Sequence, residues 1–137
     1  MEVICMGMER SGSTVAWQIT KELLENSPRK THKYVEGDSS VIYTFRDPRE
    51  AYLSFKARLS SIYPTSIAAS YAKERLEEQA DVYKQLLDDS NQQKRNVLFL
   101  KYEDYYDAPE ERIQDITLWL GKNISTSEVE RILDETS

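Results

Sequence analysis

The sequence predicts an α/β fold: a parallel β-sheet flanked by α-helices, in a single domain over residues 1–137. Three observations predict it. Short apolar runs alternate with amphipathic helical patterns. The runs are apolar throughout, as strands covered on both faces must be. The stretches joining them are long enough to be helical crossovers between parallel strands. A chain of 137 residues holds one core but is short for two. No repeat, low-complexity tract or Pro/Gly-rich linker divides it, and the polar stretch from Asp88 to Asn96 reads as a surface connection.

Val3 to Met6 is the first strand, broken at Gly7, and helical spacing resumes at Val15, Ile19 and Leu23. Val41 to Phe45 is the second. Asp47 as N-cap, Pro48 in the first turn and Glu50 as a capping-box acid then open a helix carrying Tyr52, Phe55 and Leu59. Between Ser66 and Asp89, Ala68, Ala72, Leu76, Ala80, Tyr83 and Leu87 recur at three- and four-residue intervals, which predicts a long helix whose charges form a solvated face. Val97 to Leu100 is the third strand. Pro109 introduces a helix with Ile113, Ile116 and Leu120 that stops at Gly121. Ser125 and Glu128 form a capping box before Val129, Ile132 and Leu133.

Composition narrows the function. With 18 Lys and Arg against 24 Asp and Glu, the net charge of −6 repels a polyphosphate backbone, so no nucleic acid is expected as a partner. The apolar runs fall far short of the roughly 20 residues that span a bilayer, and no membrane is expected either. A lone Cys5 and an opening strand without a basic, cleavable leader make the cytoplasm the expected location. Oligomeric state is not legible.

In parallel sheets ligands bind beyond the carboxyl ends of the strands, which directs attention to the loops at Gly7, Arg46 and Lys101. Gly7, Met8, Glu9, Arg10, Ser11, Gly12, Ser13 and Thr14 keep the frame of a phosphate-binding loop: glycine, four residues, glycine, one residue, then a hydroxyl at a helix start. Ser13 stands where a nucleotide triphosphatase needs Lys, while Arg10 supplies a cation three residues earlier. Backbone N–H groups and the helix dipole still suit an anion. A serine and glycine turn that merely caps a helix is the other reading of this segment. Arg46 closes the second strand beside a helix N-terminus, a place that suits guanidinium donors facing a dianion, with Ser54 eight residues on. In the competing reading Arg46 pairs with Asp47 or Glu50 and Ser54 faces water. His32 is either a structural or exposed histidine or a general base, since an imidazole can accept a hydroxyl proton near neutral pH. Tyr102 and Tyr105 are either edge-of-core aromatics or ligand contacts.

Several of these motifs resemble the sulfotransferase superfamily. Arg10-Ser11-Gly12-Ser13-Thr14 resembles its 5′-phosphosulfate loop, with Arg for the commoner Lys as in the carbohydrate and tyrosylprotein branches. Arg46 and Ser54, with Asp47, Pro48 and Arg49, resemble its 3′-phosphate motif. Lys30-Thr31-His32 is similar to the segment that holds the catalytic His and a charge-neutralising Lys, and because other branches use Glu, Glu36 is the reserve base. Tyr102-Glu103-Asp104 and Leu118-Trp119-Leu120-Gly121 resemble the family's adenine-side strand and following helix.

The resemblance implies a P-loop-like fold and transfer of a sulfuryl group from 3′-phosphoadenosine 5′-phosphosulfate (PAPS) to an acceptor hydroxyl or amine, leaving 3′-phosphoadenosine 5′-phosphate (PAP). Catalytic roles then fall to His32, Arg10 and Lys30, and donor binding to Arg10, Ser11, Gly12, Ser13, Thr14, Arg46, Ser54 and Tyr102. No metal is expected, because a sulfuryl group carries less charge than a phosphoryl group. The acceptor is expected to be a small molecule or a carbohydrate. Two other classes share these features: a non-catalytic PAP-binding module, and a small P-loop kinase, which the missing loop lysine disfavours.

Overall fold

The computed structural model describes residues 2–136. Four parallel strands, β1 (Val3–Gly7), β2 (Arg29–Thr31), β3 (Ser40–Phe45) and β4 (Val97–Lys101), form one sheet in the order β2-β1-β3-β4. Six helices accompany them: α1 (Ser13–Leu23), α2 (Pro48–Leu59), α3 (Thr65–Asn91), α4 (Tyr102–Tyr105), α5 (Pro109–Trp119) and α6 (Thr126–Thr136). The strand order reverses direction between β1 and β3, so the crevice for a ligand opens beyond the carboxyl ends of these two strands.

Strand side chains alternate between faces, and here both faces are covered. Val3 and Cys5 of β1, Ile42 and Leu100 meet Ala16, Ile19, Ile113, Ile116 and Ile132 from α1, α5 and α6. Ile4, Met6, Val41 and Tyr43 point the other way, onto Val82 and Leu86 of α3. Burial pushes the Cys5 thiol up to about 11, so this cysteine is a small core residue and not a nucleophile at neutral pH.

The three apolar runs are strands and the helices stand where periodicity and caps put them. Asp47 accepts a hydrogen bond from the Arg49 N–H at 2.9 Å, as its N-cap place requires. At the last helix the Glu128 N–H donates to Ser125 Oγ at 3.2 Å. Two elements carry no apolar signal. β2 reads Arg-Lys-Thr and is an edge strand, where charged side chains are the usual guard against pairing with another chain. α4 is a single exposed turn that redirects the chain after β4. Among the described residues no helix is long and apolar enough to cross a membrane.

Of the four glycines, Gly7 at the end of β1 has the closest surroundings. A Cβ on Gly7 would stand 2.2 Å from Thr44 Oγ1 and 2.9 Å from Ser13 Cβ, so only glycine fits where strand, loop and helix converge. Gly7→Ala is expected to cost about 1–3 kcal/mol through forced shifts of β3 or α1, read as a lower urea midpoint with an unchanged slope.

Candidate active site

The segment after β1 folds back on β3 through a chain of hydrogen bonds. The Met8 N–H donates to the Thr44 carbonyl at 2.9 Å. Ser11 Oγ gives its single proton to the Met8 carbonyl at 2.5 Å, so the Ser11–Thr44 contact of 2.9 Å is a bond donated by the Thr44 hydroxyl. The Ser11 side chain is thus buried and shapes the loop from within. Arg10 adopts φ 61° and Gly12 φ 83°; the first is an uncommon conformation for a side-chain-bearing residue and turns the chain into α1. The α1 ladder begins with Ala16 N–H to the Gly12 carbonyl at 3.0 Å, which leaves the N–H groups of Ser13, Thr14 and Val15 without an intrahelical acceptor.

A cavity of about 560 Å³ opens at this helix end, with Arg10, Gly12, Ser13, Thr14, His32, Arg46 and Tyr102 in its wall. Parallel register explains the convergence: β1 ends at Gly7 opposite Thr44 of β3, Phe45 of β3 lies opposite Lys101 of β4, and β2 ends at Thr31, so each strand delivers its next residues to one edge. Lys30 reaches the helix mouth from β2, its Nζ donating to Thr14 Oγ1 at 2.7 Å.

His32 Nδ1 lies 2.7 Å from the Gly7 carbonyl. A carbonyl only accepts, so Nδ1 carries the proton and the Nε2 lone pair is left for chemistry. Gln79 of α3 donates to the His32 carbonyl and holds the residue's backbone. Glu36 is exposed and lies outside the cavity wall.

Arg46 and Arg10 are linked through the Arg10 backbone. Arg46 donates to the Arg10 carbonyl at 2.8 Å, and Arg10 Nε donates to Ser54 Oγ at 3.0 Å. Arg46 also lies 4.2 Å from the centroid of the Tyr102 ring, and its Nε is buried without a hydrogen-bond partner. Pairing of Arg46 with Asp47 or Glu50 does not occur: Asp47 binds Arg49 instead, at 3.3 Å. The backbone N–H of Arg49 and then its side chain hold the Asp47 carboxyl below its usual range.

Val15, Phe55 and Arg58 of the wall lie outside every motif, and Glu9 fills an unspecified position of the loop. Phe55 and Arg58 line the cavity from α2, Arg58 one turn beyond Ser54 on the same helix face; that i, i+4 spacing is the signal that could have found it. The Glu9 carboxylate is 8% exposed and paired with Arg75 of α3 through Nε at 3.1 Å and Nη2 at 2.9 Å, while Oε2 has no partner. A larger groove of about 870 Å³ between α2 and α3 is lined mostly by apolar atoms and adjoins this cavity at Arg46.

A helix N-terminus, an Arg46 nitrogen without a hydrogen-bond partner, two guanidiniums with no carboxylate partner among the described residues and a tyrosine ring suit a phosphorylated ligand. The class is therefore a phosphate-loop α/β domain that lacks the lysine of the triphosphatases. Residues 27–137 match the sulfotransferase domain family, and the chain belongs to that family. The match includes Lys30, His32, Arg46, Ser54 and Tyr102 but begins after the Arg10 loop. The structure is similar to that of mouse sulfotransferase SULT7A1 complexed with PAP, at a TM-score of 0.73 and 16% identity. The alignment covers 99% of this chain and 63% of that one, so the chain spans less than two thirds of that relative's length. No curated protein matches the sequence.

The buried pair behind the loop generates a prediction. Arg75→Met strands the Glu9 carboxylate and is expected to cost on the order of 3 kcal/mol in chemical denaturation. Adding Glu9→Gln should recover most of that loss, because the uncompensated charge and not the missing contact is what hurts.

Proposed function

We propose that residues 1–137 act as one sulfotransferase-like domain that moves the sulfuryl group of PAPS to an acceptor hydroxyl or amine. The observation that carries this reading is the pair Arg10 and Arg46: two guanidiniums in one cavity without carboxylate partners among the described residues, Arg46 held on the Arg10 backbone carbonyl and Arg10 on Ser54. The donor supplies an activated sulfuryl group on a 5′-phosphate and a second, 3′-phosphate for recognition.

Each side chain then has a task. His32 takes the acceptor proton at Nε2, a contribution on the order of a hundredfold or more. As the acceptor oxygen or nitrogen bonds to sulfur, the bond from sulfur to the 5′-phosphate oxygen breaks and PAP leaves. Arg10 stabilises charge on that oxygen; one preorganised donor is worth about 3 kcal/mol. The N–H groups at the start of α1 and the Ser13 and Thr14 hydroxyls cradle the 5′ end, Lys30 neutralises the group in transfer, Arg46 and Ser54 read the 3′-phosphate, and Tyr102 borders the adenine. Ser11 serves through the loop it braces. The acceptor is a small molecule or a carbohydrate, and no metal takes part.

PAP is expected to raise the melting temperature without Mg²⁺, and Arg46→Ala to abolish the shift. A larger shift with ATP and Mg²⁺ would turn the assignment to a kinase. His32→Ala should keep PAP binding and lose at least a hundredfold in transfer of labelled sulfate. Donor binding without transfer to any sugar, phenol or amine in the wild-type protein would leave a PAP-binding module.

A further inference from the structure

The α5 helix brings a cation to the nucleotide loop that neither the motifs nor the cavity wall include. Arg112 extends toward the N-cap of α1, where its Nη1 lies 3.0 Å from the point a Cβ on Gly12 would occupy; Tyr102 Cδ2 lies 3.6 Å from the same point. Its guanidinium carbon is 6.0 Å from the Tyr105 ring centroid. Arg112 is half-buried, forms no ion pair among the described residues, and has a buried Nε without a hydrogen-bond partner. Asp115, one turn on, does not serve it and instead accepts from the Tyr105 hydroxyl at 2.7 Å.

A guanidinium removed from water without a counter-anion costs stability, and proteins seldom keep one unless something pairs with it. Burial pulls the Arg112 pKa below its ordinary value, the direction expected for a charge the unliganded fold does not compensate. The group nevertheless stands beside the glycine that opens α1, where the helix dipole and free N–H groups already favour an anion. By contrast, Arg75 pairs with Glu9, Arg95 with Asp89, and Arg131 with Glu22, Glu128 and Glu135.

We propose that Arg112 is a further guanidinium of the donor site, whose missing counter-charge is the 5′-phosphate of the nucleotide held at Gly12. The assignment rests on the donor reading above and extends it. It divides the work among the cations: Arg112 and Arg10 serve the 5′ end, Arg46 the 3′ end. Arg112 is thus a binding residue set by α5, an element that delivers no residue to the site through any recognised motif.

Calorimetric titration of the wild-type chain, Arg112→Met and Arg112→Lys with PAP, adenosine 5′-monophosphate and adenosine 3′-monophosphate tests it. Arg112→Met is expected to weaken PAP and the 5′-monophosphate at least tenfold and to leave the 3′-monophosphate within twofold. Arg112→Lys should recover part of the loss. The melting temperature of unliganded Arg112→Met should equal or exceed that of the wild type, which a purely structural arginine would not allow. Wild-type affinity for the 5′-monophosphate in Arg112→Met overturns the proposal, as does equal weakening of both monophosphates with a lower melting temperature. A wild-type chain that binds neither PAP nor the 5′-monophosphate overturns the donor reading itself.

Discussion

The close approach of β1 and β3 at Gly7 and Thr44 is the constraint on which the rest depends. Parallel pairing brings the two strands to one edge, and the absent side chain at Gly7 lets Thr44 Oγ1 sit where a methyl would otherwise be. Thr44 then does two things at once: its carbonyl takes the Met8 N–H and its hydroxyl donates to Ser11. Those bonds set the loop, the loop sets the direction of α1, and the N-terminus of α1 faces the cavity lined by Arg10 and Arg46. His32 uses the same short segment, because its tautomer is fixed by the Gly7 carbonyl.

Electrostatics complete the site in an acidic chain. The net charge of −6 would repel a doubly phosphorylated nucleotide at long range, but the local field is reversed. Arg10, Arg46 and Arg58 line one cavity, Lys30 stands at its rim, and Glu9, the one wall carboxylate among the described residues, is already paired with Arg75. Arg46 is held by a carbonyl and by the face of Tyr102 rather than by an acid, so its charge stays available to a ligand.

Much of this was legible in the sequence because it depends on local rules. The apolar runs announced β1, β3 and β4, the Asp47-Pro48 cap announced α2, and the glycine spacing with Arg10 announced the loop. What escaped did so for physical reasons. An edge strand such as β2 buries little and shows no period, so Lys30 and His32 were visible as residue types but not as neighbours of Thr14 and Gly7. Phe55, Arg58 and Arg112 meet the loops only through tertiary packing, as does Arg75, the partner of Glu9. Ser11 was legible as part of a motif, yet its hydroxyl turns inward to Met8 and Thr44, a direction that spacing alone does not encode.

The central claim is that one nucleotide spans both guanidiniums. A crystal structure of the protein with bound PAP tests it most directly. The account predicts a 5′-phosphate on the α1 N-terminus within hydrogen-bond reach of Arg10, and a 3′-phosphate on Arg46 and Ser54. A nucleotide lodged elsewhere, or either guanidinium turned onto a carboxylate with its phosphate left in solvent, would contradict it.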